Sequence, residues 1–207
     1  TGNLMILVNL LKHLKTVDNI QSVELLKESV MLFDKINRAI DYHNPATKRD
    51  LLSQYFNAVK HQVSGVRMSI DIQALIDDLT LKYNHFRHHL NSQEWMDQST
   101  NMGWYNGYYN NDGFRLESTD LEFTKMTLTG QTFILMSHLA DNDKIEKIIN
   151  AVNVHLTDPL IRIPRLNTNF RKNTMDMGRF MGFAYGHKEN GSMFSHMAVM
   201  YAYSLFD

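Results

Sequence analysis

The chain has 207 residues, 43% of them hydrophobic and only three of them proline, which is enough apolar content for a substantial core and excludes a disordered tail. Lysine plus arginine (21) nearly cancels aspartate plus glutamate (22), so no strong field recruits nucleic acid or an anionic membrane, and a neutral or modestly charged partner fits better. The absence of cysteine excludes disulfides and thiolate metal sites, and it fits a reducing, cytoplasmic setting.

In chain order, "NLMILVNLLKHLKTV" (3–17) carries leucine and valine at three- and four-residue steps and predicts a helix. The opening residues lack the basic stretch and small-residue cleavage site of a signal peptide, so they read as a helix entered from upstream, as though cut from a longer chain. "SVELLKESVMLFDKINRAIDYH" (22–43) repeats the helical pattern, and "PATKRDLLSQYFNAVKHQV" (45–63) opens on proline where helices tolerate it. "DIQALIDDLTLKYNHFRHHL" (71–90) makes a fourth helix. The texture then changes: "GWYNGYYNNDGFRLE" (103–117) is aromatic and glycine-rich, and Asn111-Asp112-Gly113 marks a turn, so a short β-hairpin is expected there. Helical spacing resumes in "TGQTFILMSHLA" and "NDKIEKIINAVNVHL". A long irregular stretch follows from Thr157 to about Lys188, and a last helix is expected from near Ser192. No run approaches the roughly 20 apolar residues that cross a bilayer. No repeat or linker marks an internal boundary, so residues 1–207 read as a single, mainly α domain portion. Helices of similar length in antiparallel pairs suggest part of an α/α toroid or another helical array, with its functional residues in loops at one end.

Several groups invite a functional reading and each has a plainer one. "FAYGHKENGSMF" places His187, Lys188, Glu189 and Asn190 between Gly186 and Gly191, ahead of a methionine- and aromatic-rich run. Such a density of hydrogen-bonding groups suggests a ligand, while helix capping is the commoner job of those residues. His85, His88 and His89 have the spacing of a metal-binding helix face, but no acidic partner completes the set, and a wet helix face is expected with no metal. Trp104, Tyr105, Tyr108 and Tyr109 could stack on sugar or pack a hairpin, and alternation along a strand allows both. Met193, Met197 and Met200 read as core.

Taken together, "GWYNGYYNNDG", "MTLTGQTFILMSHLADNDKIEKIINAV", "RLNTNF" and "MGRFMGFAYGHKENGSMFSHMAVMYAYSL" resemble, in order and spacing, the C-terminal half of the catalytic domain of glycoside phosphorylases of glycoside hydrolase family 94. The wording is similar to the cellodextrin and β-1,2-oligoglucan phosphorylase branch, most closely from about Trp95 to Phe206. "VSGVRMSIDIQALIDDL" and "HLNSQEWM" carry a weaker likeness. The resemblance implies part of an (α/α)6 barrel and inverting phosphorolysis of a β-linked gluco-oligosaccharide to α-glucose 1-phosphate, with no cofactor.

Inverting glycosidases need an acid for the leaving oxygen and a carboxylate to activate water; with phosphate as an anionic nucleophile, a cradle of donors takes the second role. The resemblance implies that Gly186 and His187 contact phosphate, aided by amides running toward the next helix. The family often has threonine at position 187, and imidazole makes binding pH-sensitive. It implies further that Glu189 and Asn190 fix the loop or touch sugar hydroxyls, that Gln131 lines the site wall, and that Trp104 meets sugar. The family's general acid lies in a D-W-N-D-like segment that these 207 residues lack, and Asp97, Asp112, Asp120 and Asp176 fall in no matching motif. No catalytic residue is therefore assigned, and the chain alone is expected to be inactive and, as an incomplete toroid, to self-associate or expose an apolar face. Two other readings stay open: the C-terminal domain of a cyclic β-1,2-glucan synthase-like protein, and a non-catalytic module that binds glycan or protein.

Overall fold

The structure, a computed structural model, describes residues 1–36, 41–118, 123–171 and 177–206. The protein is mainly α, with two short antiparallel strand pairs among the described residues. It packs as two compact units, residues 1–86 and 87–207.

In the first unit, helix α1 (Gly2–Thr16) turns Val8 and Leu11 inward, as its spacing predicts. Strand β1 (Ser22–Leu26) leads into the single-turn α2 (Lys27–Val30), and α3 (Pro45–Val59) starts behind Asn44, whose side chain accepts from the Ala46 amide. Strand β2 (Arg67–Asp71) pairs with β1 from Ser22↔Asp71 to Leu26↔Arg67. It feeds α4 (Ile72–His89), which buries Ile72, Leu75, Ile76, Leu79 and Tyr83 on one face and belongs to this unit through Phe86. The core joins these residues to Val8, Leu11, Val30 and Ile70.

The helix expected over 22–43 is thus not continuous. Val23 and Leu25 are half-buried between exposed neighbours, a period of two that three- and four-residue steps conceal over five residues, and the pairing partner lies some forty residues on. Residues 37–40 of that expected helix lie outside the described residues. Beyond the strand, charge organises the fold. Asp34 and Asp78 are buried; Lys82 lies 3.3 Å from the first and 3.0 Å from the second, Lys48 pairs with Asp34, and the Tyr42 hydroxyl donates to Asp34 at 2.9 Å.

In the second unit, β3 (Trp95–Ser99) and β4 (Met102–Tyr105) form a hairpin with Trp95 opposite Tyr105 and Met96 opposite Trp104. Helix α6 (Asn142–Ala151) lies against β4, and α5 (Leu128–Met136) packs with α7 (Ser195–Tyr203). The core includes Trp104, Tyr105, Leu128, Ile148, Val152 and Leu156. The hairpin expected within 103–117 is present around its turn: Tyr109 bridges Arg115, the Asn110 amide donates to the Phe114 carbonyl at 2.9 Å, and Gly113 sits at φ +79°. Its upstream part, β4, pairs instead with β3. Helix α6 gives way at Val152 to one widened turn through Leu156, closed by the Thr157 amide on the Val152 carbonyl. Helix α7 starts three residues later than expected because Ser192 belongs to the preceding loop, its carbonyl accepting from the Leu166 amide and its hydroxyl donating to the Lys188 carbonyl.

Candidate functional site

The loop from Phe183 to Gly191 is a closed turn. The Gly186 amide donates to the Asn190 carbonyl at 2.7 Å, the Asn190 amide to the His187 carbonyl at 3.0 Å, and the His187 amide to the Ala184 carbonyl at 3.0 Å. Gly186 and Gly191 both occupy positive φ, +91° and +72°, and a Cβ on Gly191 would fall 2.1 Å from the Tyr185 ring, so the closing position demands glycine. Asn190 is buried beneath the turn, donating to the Phe183 carbonyl at 2.7 Å and accepting from Asn167 at 3.1 Å. Asn167 also accepts from the Gly191 amide at 2.8 Å. Arg165 completes the floor, donating to the Gly191 carbonyl at 3.1 Å and to Asp158 at 2.7 Å.

With these backbone groups engaged within the turn, the loop exposes Gly186 and its side chains. His187 and Lys188 are exposed, and the Lys188 ammonium lies 4.9 Å from the Phe183 ring centroid. Glu189 is half-buried: one oxygen faces the exposed Arg179 at 3.5 Å, and its Oε2 is buried and takes no hydrogen bond among the described residues. Asn190 is therefore an internal brace, whereas His187, Lys188 and Arg179 give the rim a positive, donor-rich character suited to an anion.

The aromatic hairpin reaches the same region. Gly178, next to Arg179, lies so close to the Tyr108 hydroxyl that a Cβ there would approach it to 2.8 Å, and the Tyr108 and Phe180 rings meet edge to face. The base of the hairpin is tied by two buried glutamates that sequence reasoning missed. Glu94 accepts from the Tyr109 hydroxyl at 2.7 Å and from Asn106 at 3.1 Å, with His89 3.2 Å and Arg115 3.7 Å away. Glu117 accepts from the Gly107 amide at 3.0 Å, the Thr127 amide at 3.0 Å and the Thr127 hydroxyl at 2.6 Å. Burial pushes the Glu117 carboxyl up to about 7, against the downward pull of the hydrogen bonds from Thr127 and Gly107. Nothing local in the sequence marks either glutamate, because the donors from Tyr109 and Asn106 to Glu94, and from Gly107 and Thr127 to Glu117, lie ten or more residues along the chain.

The remaining predicted residues divide by burial. Gln131 is fully buried, and its amide both accepts from the Tyr105 amide at 2.9 Å and donates to the Tyr105 carbonyl at 2.8 Å, which fastens β4 to α5. Trp104 is fully buried with its ring edge-on to His155, and Tyr105 is buried with its hydroxyl donating to Asn91 at 2.8 Å. Tyr108 and Tyr109 are exposed, so the four aromatics split into a packed pair and an outward pair. Met197 is buried, and Met193 and Met200 half-buried, on or beside α7. Of the three histidines on α4, His85 stacks on Tyr42 at 4.2 Å and His89 faces Glu94. Asp97 is exposed beside Lys147 at 3.1 Å, whose hydrogen bond holds its carboxyl below the usual range, and Asp112 lies on the hairpin turn. Asp120 and Asp176 lie outside the described residues.

Compared with known proteins, residues 74–204 match the family model described as "Glycosyl hydrolase 94 superfamily, catalytic domain". The match takes in both hairpins of the second unit, Glu94, Glu117, Gln131 and the whole 183–191 loop. No curated protein matches the chain.

Proposed function

Because the chain belongs to the glycosyl hydrolase 94 superfamily through its catalytic domain, we propose that it is part of an inverting β-glucan phosphorylase of the cellodextrin and β-1,2-oligoglucan type. The whole of residues 1–207 is assigned to that one catalytic domain, and the parent reaction converts β-glucan and phosphate to α-glucose 1-phosphate and a shortened glucan. The superfamily acts on glycosidic bonds, and the observation that carries the finer reading is the character of the 183–191 loop. Its backbone is closed on itself from beneath, and it exposes an imidazole, an ammonium and a neighbouring guanidinium.

In this reading the His187 ring donates to phosphate, and Gly186 sits at the open edge of the turn, with nothing within 4 Å of where its Cβ would be. Lys188 and Arg179 supply field rather than fixed geometry. Held in place, the anion meets the anomeric carbon in line, which replaces the second carboxylate of an inverting hydrolase. Glu189 fixes the loop by holding Arg179 at 3.5 Å through its outer oxygen, and Asn190 keeps the turn closed. Gln131 acts as the wall behind β4 by fixing Tyr105. The packed Trp104 supports the hairpin, and the exposed Tyr108 and Tyr109 are the surfaces on which a sugar ring stacks. The leaving-group acid is assigned to no residue of this chain.

The experiment is phosphorolysis by the intact protein at varied phosphate. A hydrogen bond to a charged group is worth about 1.5–3 kcal/mol, so H187A raises the apparent KM for phosphate by roughly 10- to 150-fold. H187T does less harm, since its hydroxyl offers a donor, and E189Q lowers kcat more than phosphate affinity. Loss of thermal stability in H187A with an unchanged phosphate dependence makes His187 a structural residue and overturns the assignment.

A further inference from the structure

We infer that Glu117 is a positioning residue that holds the aromatic hairpin and the 183–191 loop in one register, acting through Thr127 and Asn167. What the two loops do together rests on the phosphorylase reading; the mechanical link between them does not.

The link is continuous. Glu117 joins the Gly107 amide to the amide and hydroxyl of Thr127, just ahead of α5, where Gly107 and Gly130 pack so closely that a Cβ on either would meet the other's Cα at 3.1 Å. Thr127 forms an antiparallel bridge with Asn167, and the next amide, Leu128, donates to the Leu166 carbonyl at 2.8 Å. The Asn167 side chain then holds both the Gly191 amide and the Asn190 side chain. A shift of the hairpin base is therefore transmitted to the floor of the loop through backbone pairing and one buried amide.

A carboxylate is a costly group to bury without a cation, and no basic side chain among the described residues pairs with Glu117. Its chemistry explains the choice. Among the described residues three donors converge on Glu117 and no acceptor does, so both of its oxygens accept; a glutamine NH2 cannot, and a protonated carboxyl would bring an O–H donor that no group there accepts as the donors now point. Gln131, in the first turn of α5, performs the neighbouring task with a neutral amide because Tyr105 offers one donor and one acceptor. Among the described residues, the groups facing Glu117 are Asn106 and Gly107 from the hairpin and Thr127 and Gly130 from the start of α5, none of which titrates. Protonation must then turn at least one donor away, and the hydroxyl of Thr127 is the only one free to rotate.

The test is an NMR pH titration of the Gly107, Thr127 and Gly191 amides between pH 5 and 9, in an H187A background so that the nearby imidazole does not contribute. The three amides are expected to share one midpoint near neutrality. T127V, which removes one bond to the charged form, moves that midpoint upward at all three, whereas T127S leaves it in place. Titration of Gly107 and Thr127 without Gly191, or a Gly191 midpoint that ignores T127V, overturns the link. E117Q abolishes the shared titration if it folds, and the Thr127 pair decides the question if it does not. The second arm uses the intact protein with β-glucan and inorganic phosphate: kcat is expected to fall about tenfold per pH unit below the midpoint, with little change in KM, and to follow T127V upward. A kcat profile indifferent to T127V, with the amides titrating together, overturns the positioning role. Absence of phosphorolysis in the unmodified protein counts against the proposed function, and the NMR arm still decides the link.

Discussion

Asn167 carries more of the candidate site than any residue that the sequence singled out. Its amide donates to the Thr168 carbonyl at 2.8 Å and to Asn190, and it accepts from Gly191, all out of solvent. N167A takes a hydrogen-bond partner from the Gly191 amide, the Asn190 side-chain oxygen and the Thr168 carbonyl, and urea denaturation is expected to show a loss of about 1–3 kcal/mol. N167D, which turns one donor into an acceptor facing Asn190 Oδ1, is expected to do no better. Glu117 gives a pH signature of definite sign. In the unfolded chain its carboxyl titrates near 4.5 and in the fold at about 7, so between those values the native state holds a proton that the unfolded state has lost. Its contribution to stability is full below about 4.5 and falls as pH rises to about 7, by on the order of 3 kcal/mol. Denaturation midpoints measured across that window are expected to slope downward, and E117Q to flatten the slope. The side chains of His187, Glu189 and Asn190 stood out in the sequence because polar groups between two glycines are a local feature. Asn167, Glu94 and Glu117 did not, because what makes each important is a donor brought from elsewhere in the fold.

Among the elements, the long amphipathic helices were readable because each carries its own evidence. Helix α4 repeats apolar residues through Ile72, Leu75, Ile76, Leu79 and Tyr83, and α3 announces its start with Asn44-Pro45. Strand β1 failed the same reading because its signal is short and its partner β2 is remote. The turn at Asn110–Gly113 was legible from its chemistry, whereas the pairing of β4 back onto β3 depends on Trp95 packing edge-on to Tyr105 across the ladder. Helix α6 offers a clean check of local physics. The Asp141 side chain accepts from the Lys144 amide at 2.9 Å as its N-cap, so D141A is expected to cost about 1 kcal/mol by thermal or chemical denaturation. Because α6 lies against β4, a loss much larger than this would mean that the cap also sets the hairpin.

Across the whole molecule, apolar side chains remain in contact with solvent on both units. Ile6, Leu7, Leu10 and Val17 are exposed on and just after α1, and Val199, Tyr203 and Phe206 on and just after α7. Scattered apolar exposure is ordinary, but repetition along one helix is the pattern of a face that packs against further protein. The chain in isolation is expected to self-associate or to bind an apolar dye, checked by light scattering and dye fluorescence over a concentration series. Monodisperse monomer without dye binding counts against the incomplete-toroid reading. The central claim, that phosphate and not water attacks the glucan, is tested most directly by following the products of the intact protein on a β-gluco-oligosaccharide by phosphorus and proton NMR. The expected result is α-glucose 1-phosphate formed in proportion to the phosphate supplied. Free glucose released at a rate independent of phosphate would contradict it.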